Sequence, residues 1–384
     1  MSVWDRLVGQ QAAVDVLSRA VTGAGGDGSA MTHAWLLTGP PGSGRSTAAV
    51  AFAAALHCPA RGCGQCATCR SVLAGTHPDV ELVRTEALSI GVDEARALVA
   101  RAARRPQAGP WHVIVIEDAD RLTEQAVDAL LKAMEEPAPT TVWVLCAPSP
   151  EDVLPTVRSR TRQVRLRTPP LDDVAAFLVA RDHVDPPMAA FAARAAGGHI
   201  GRARRLAGDE QARARRADVL RLPVAVDGVT TAVLAAGALV EAAAEEAAAV
   251  AAEVDGPERE ALATALGQGT VGRAMPASAR AALAELDRQQ RRRGTRARRD
   301  ALDRALVDLA TFYRDVLVTQ LGARVALTNP DVSATTEQMA ARTSPHETLR
   351  RLEAVVAART ALEGNVSPQL ALEAMAIRLC LPAT

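Results

Sequence analysis

Residues 34–47 read AWLLTGPPGSGRST. AWLLT is a short apolar run, GPPGSG a glycine- and proline-rich turn, and RST the start of a helical pattern. Strand, tight loop and helix in this order are the context that a phosphate-binding loop requires. Gly39, Gly42 and Gly44 let backbone amides curl around phosphate, and the helix N-terminus adds positive potential. Ser46 stands where a hydroxyl would meet Mg²⁺, with Thr47 beside it. Position 45 departs from the pattern, because Arg45 replaces the lysine of a hydrolysing loop. A guanidinium is planar and larger than an ammonium, so the two do not interchange at a tight phosphate site. A plainer account is compositional, since Lys132 is the one lysine of the chain.

Working outward, WHVIVIED (111–118) and TVWVLCAPS (141–149) are continuous apolar runs. Runs of this kind suit parallel strands buried on both faces. Helical patterns separate them, which implies βαβ units. The first run ends in Glu117 and Asp118. A strand end that handles Mg²⁺ and the attacking water usually carries Asp and then Glu. The reversed order misplaces both sets of oxygens. Together with Arg45 it predicts a degenerate nucleotide site, binding ATP and Mg²⁺ weakly or not at all. Two solvated acids at a strand end are the alternative.

HCPARGCGQCATC (57–69) contains Cys58, Cys63, Cys66 and Cys69, four of the six cysteines. Four thiolates at short spacing, with glycines to turn the chain, suit tetrahedral Zn²⁺, and four protein ligands leave no open position, so the expected role is structural. A redox dithiol is the alternative. His57 reads as a neighbour of the cluster rather than a ligand. Cys146 and Cys380 read as small buried hydrophobes.

Two prolines in RTPPLDD (167–173) mark a boundary after the last strand signal. Residues 1–167 are expected to form an α/β domain with a parallel sheet, 168–208 a small helical domain broken at Gly197–Gly198, and 209–384 an all-helical domain. The run RQQRRRGTRARR (288–299) is a candidate for DNA phosphate, but its flanking Asp287 and Asp300 equally suit a solvated helix face. Lys+Arg and Asp+Glu both number 44, so net charge gives no argument for nucleic acid. The N-terminus lacks a basic start followed by an apolar run, and no stretch of 18 apolar residues occurs. Neither a secretory leader nor a membrane span is expected, and the expected location is cytoplasmic.

LLKAMEEPAPTT (130–141), followed by LPTVRSRT (154–161), closely resembles subunits of the bacterial clamp-loader branch of the AAA+ family. RLVGQQ (6–11) resembles the N-terminal box of that family, and NVSPQLALEAM (365–375) its C-terminal helix. The four-cysteine insertion resembles one shared by its gamma/tau ATPase and delta-prime subunits. The resemblance implies a P-loop α/β domain, a helical lid and a helical collar. It implies a hetero-pentamer with gamma/tau and delta subunits, an accessory of the DNA polymerase III nucleotidyltransferase complex. That assembly places a sliding clamp on primer-template DNA during replication. Delta-prime members hydrolyse little ATP and offer a serine-arginine-cysteine motif to the ATP of a neighbour. The motif falls here on Ser159, Arg160 and Thr161, so the cysteine is replaced while the arginine remains. The sensor 1 threonines are absent from Cys146-Ala147-Pro148-Ser149, and Gly201 stands where the sensor 2 arginine would fall, with Arg202 adjacent. These departures imply the delta-prime type. The alternatives are an active gamma/tau-type ATPase and a stand-alone DNA-binding repair protein.

Overall fold

A computed structural model describes residues 2–24, 30–85, 89–266, 277–364 and 366–380. The chain divides into two compact units, residues 1–208 and 209–384. The first alternates helices and strands in the order α1 (Gln11–Gly23), β1 (Ala34–Thr38), α2 (Arg45–His57), α3 (Ala67–Leu73), β2 (Val80–Val83), α4 (Val92–Ala102), β3 (His112–Ile116), α5 (Glu124–Glu135), β4 (Thr141–Ala147), α6 (Pro155–Arg158) and β5 (Arg162–Arg165). The five strands form one sheet, β2-β3-β4-β1-β5, in which every pairing is parallel. The phosphate-loop strand β1 therefore sits between β4 and β5, with Ala34 opposite Trp143 and Thr38 opposite Ala147.

Side chains alternate between the faces of a strand, and both faces of this sheet are covered. Trp35, Leu37, Val113, Val115, Val142, Val144 and Cys146 pack on one side against α1 and α2. Ala34, Leu36, Ile114, Ile116, Trp143, Leu145 and Ala147 pack on the other against α4 and α5. That double cover is why the strands read as unbroken apolar runs. Aromatic residues are scarce, and two of them meet in this core: Trp35 and Phe52 pack edge to face with centroids 5.2 Å apart. Helix α5 buries Val127, Leu130 and Met134, half-buries Leu131, and stops at Glu135 two residues before Pro137. The first unit closes with α7 (Leu171–Asp182), α8 (Pro186–Ala195) and α9 (Ile200–Gly208), the last two separated at Gly197 and Gly198.

The second unit has helices and no strand among its described residues: α10 (Glu210–Ala225), α11 (Val229–Ala265), α12 (Ala277–Gln320), α13 (Ser333–Arg342), α14 (Pro345–Glu363) and α15 (Pro368–Cys380). Its own core gathers Leu302, Leu306, Leu309, Phe312, Tyr313, Val316, Val355 and Leu372. Asn365, where the C-terminal motif begins, lies outside the described residues. Among the described residues no helix is long and apolar enough to cross a membrane.

Candidate functional site

The glycine-rich loop connects β1 to α2 and has the backbone of a phosphate cradle. Gly42 and Gly44 have φ of +84° and +90°, a conformation that side chains resist. Gly44 caps α2, whose first turn carries Arg45, Ser46 and Thr47. These residues line a cavity of about 360 Å³ together with Arg6, Arg181, His199 and Arg204 from the same unit. Burial, and then Arg181 and Arg204, lower the pKa of Arg6. That is the signature of a cation held close to other cations, and such a pocket favours an anion.

Inside this cradle Arg45 takes an unproductive route. Its Nη1 donates to the carbonyl of Gly39, at the base of the loop. The acids that end β3 do not line the cavity. Glu117 accepts from Nε of Arg84 at 2.9 Å on the far strand β2 side. Asp118 lies near Asp120, whose pKa is raised first by burial and then by the charge of Asp118. The residues therefore fit phosphate better than they fit Mg²⁺: arginines converge on the pocket, whereas the carboxylates do not.

Cys58, at the end of α2, and Cys63, Cys66 and Cys69, around the start of α3, bring four sulfurs within 4.8 Å of one another. Cys58 Sγ lies 3.7 Å from Cys63 Sγ and 3.8 Å from Cys66 Sγ. With Zn–S bonds near 2.3 Å, the edge of a tetrahedron is roughly 3.8 Å. Backbone amides point at the sulfurs: Cys63 N donates to Cys58 Sγ and Cys66 N to Cys63 Sγ, both at 3.4 Å, and Cys69 N to Cys66 Sγ at 3.3 Å. The amides of Gln65 and Cys66 bring the Cys63 thiol down to about 6. For Cys58 burial acts the other way, but the amides of Cys63 and Gly62 prevail and lower it. Burial pushes the Cys69 thiol up. The donor set fits a tetrahedral thiophilic cation.

Ser159 and Arg160 follow α6, at the turn into edge strand β5. Arg160 is partly exposed. Its Nε donates to Oε1 of Glu135 at 2.6 Å and its Nη1 to the carbonyl of Thr156 at 2.8 Å. Nη1 also donates to Oγ of Ser159 at 3.2 Å. Its neighbours are tied to backbone: Arg158 donates to the carbonyl of Pro150 at 3.4 Å, and Arg162 to that of Ala30 at 2.7 Å. The nucleotide loop and Arg160 are thus separate constellations, one in a pocket and one at a sheet edge. In the basic run, Arg288 pairs with Glu285, Arg293 with Asp255 and Glu258, and Arg296 with Asp300.

Two family models match the chain, in order. Residues 10–170 match "DNA polymerase III, delta subunit" and residues 298–379 match "DNA polymerase III, delta subunit, C terminal". Over these two stretches the chain is similar to the DNA polymerase III delta-subunit family. Over 167 residues it is 38% identical to the DNA polymerase III subunit delta' of Pseudomonas aeruginosa, covering 41% of this chain and 50% of that one. The gamma/tau subunit of Mycobacterium bovis is 33% identical over 177 residues, 45% of this chain and 30% of that one. A gamma-subunit-related protein of Thermotoga maritima aligns with 76% of this chain and 99% of its own at 17% identity, with a TM-score of 0.36. The chain spans about half the length of the curated delta' relative it matches.

Three further residues shape these sites. Gln10 Nε2 donates to the carbonyls of Ser43 at 3.2 Å and Arg167 at 2.6 Å, and its Oε1 accepts from Arg167 N at 3.0 Å. It ties the phosphate loop to the segment after β5, and its place in RLVGQQ was the only signal. His199 packs so tightly over Gly42 that a Cβ there would collide with it. Glu135 is the partner of Arg160, from the EEP of the clamp-loader-like run. Neither pairing has a sequence signal, because each joins segments far apart in the chain.

Proposed function

We propose that the chain acts as a delta-prime-type subunit of a bacterial clamp loader, helping to place a sliding clamp on primed DNA while hydrolysing little ATP itself. The observation that carries this reading is Arg45, folded onto the Gly39 carbonyl, with Glu117 engaged by Arg84. A loop with this backbone and without a correctly placed cation and metal acid is suited to holding an anion, not to transferring a phosphoryl group.

In this reading Arg160 is the working cation. Standing partly exposed at a sheet edge, its guanidinium would reach the γ-phosphate bound to a neighbouring gamma/tau subunit and neutralise the charge that develops in transfer. Ser159, which accepts from Arg160, orients it. The four cysteines hold Zn²⁺ as a closed structural site, locking the α2–α3 connection. The zinc supplies no chemistry there beyond fixing the chain. Helices α10 to α15 provide the collar that joins gamma/tau and delta subunits, and DNA is met through the assembled ring. Residues 1–167, 168–208 and 209–384 correspond to P-loop domain, lid and collar.

Steady-state ATPase of the isolated chain, and of a reconstituted loader with and without it, tests the proposal. Negligible turnover alone and a clear stimulation of the loader are expected. Turnover by the isolated chain like that of an ordinary AAA+ motor would instead favour the gamma/tau type.

A further inference from the structure

The end of α2 and the segment before β2 bring together side chains that the clamp-loader role leaves unused. One ring nitrogen of His57, one of His77 and one carboxylate oxygen of Asp79 lie within 4.8 Å of one another. All three residues are buried, with exposures of 7%, 8% and 2%. The two imidazoles stand 4.5 Å apart at 51°. Buried polar groups almost always find hydrogen-bond partners, yet neither nitrogen of His57 has one among the described residues. The four cysteine sulfurs form a group of their own that does not include His57.

We propose that His57, His77 and Asp79 form a second metal site, for one divalent transition-metal ion of the zinc, cobalt or nickel kind. Two imidazoles and a carboxylate are the donor set these ions favour, and three protein ligands leave one position for water. Each ligand is prepared for the task. Neither ring nitrogen of His57 is engaged by another described residue, so a lone pair is available to an ion. The amides of Gln107 and Ala108 donate to the Asp79 carboxylate at 2.5 and 2.7 Å. Those bonds fix the carboxylate in the way that outer partners orient a metal ligand. His77 Nδ1 accepts from the Asp79 amide at 3.2 Å. Ligation through His77 gives up at most that long contact. Gly109 closes the site: its Cα lies against the His57 ring, where a Cβ would collide with Nδ1. His112 borders the cluster, and its Nδ1 is also without a partner among the described residues.

This inference is independent of the clamp-loader reading. The test equilibrates the full chain with Zn²⁺ or Co²⁺, removes free metal and counts what remains. Two equivalents are expected in the unsubstituted chain and one in His77→Gln. Cobalt separates the sites, because thiolate ligation gives a sulfur-to-cobalt charge-transfer band that an imidazole-carboxylate site lacks. His77→Gln should keep that band. Cys66→Ser should weaken or lose it while still binding one cobalt. Equal metal content in His77→Gln and the unsubstituted chain would overturn the proposal. So would a natively folded Cys66→Ser chain that binds no cobalt. Native circular dichroism is required of each variant. If Cys66→Ser does not fold, the difference between the unsubstituted chain and His77→Gln decides alone. If His77→Gln does not fold, His57→Asn takes its place with the same expectations.

Discussion

At the scale of single residues, the proposed function gives two arginines opposite roles. Arg160 pairs with Glu135 at a partly exposed site. Such pairs are worth about 0–1 kcal/mol, so the guanidinium can leave Glu135 for a stronger anion at little cost. Arg160→Ala is expected to preserve folding and ring assembly while lowering the DNA- and clamp-stimulated ATPase of the complex by at least several-fold. Arginine fingers are worth roughly 10³–10⁵ in well-studied GTPases, and a ring with several active sites dilutes the loss of one. Arg158→Ala should do less, since Arg158 serves the Pro150 carbonyl. Unchanged ATPase with Arg160→Ala in an assembled ring would remove the trans-acting role. Arg45 is the converse case. Arg45→Lys restores the usual ammonium but leaves Glu117 on Arg84, so no turnover is expected to return. Radiolabelled phosphate release from the isolated variant measures this directly.

At the scale of elements, the turn that joins α2 to α3 depends on its cysteines and the loop beside it depends on a glycine. Cys66 both belongs to the sulfur cluster and caps α3 by accepting from Cys69 N. Cys66→Ser should therefore reduce the metal content of the cluster and lower the melting temperature, as elemental analysis and calorimetry would show. The loss can approach, and should not exceed, the roughly 10–16 kcal/mol apparent for zinc-finger peptides. Gly109→Ala places a methyl group against the His57 ring. Overpacking of this kind costs roughly 1–3 kcal/mol, which a denaturant melt resolves. A neutral result would mean that the 107–109 loop moves away freely.

At the scale of the whole molecule, each unit owns its core, one around the sheet and one among long helices. A fragment comprising residues 209–384 is accordingly expected to melt cooperatively by far-UV circular dichroism. A broad, non-cooperative melt would contradict it. Within that unit Arg216 is only 4% exposed and donates to Asp308 at 3.2 Å and Asp331 at 3.0 Å. Removing one partner from a buried charge pair costs about 3–5 kcal/mol. Arg216→Ala should destabilise the fragment by that order, with no effect on the metal content of the full chain.

The parallel sheet, the loop between β1 and α2, the four-cysteine cluster and the helical second half were all legible in the sequence. Each is written in local spacing: unbroken apolar runs for strands covered on both faces, glycines at fixed offsets, thiols within twelve residues, and alanine-rich helical stretches. The pairing of Arg160 with Glu135, the grip of Gln10 on Ser43 and Arg167, and the return of Arg45 to Gly39 were not. Nor was the meeting of His57 with His77 and Asp79, two elements apart. Those contacts depend on how crossover connections and loops fold back against the sheet, a long-range outcome of burying its two faces. Local pattern identified the residues capable of chemistry, and tertiary packing decided which of them meet.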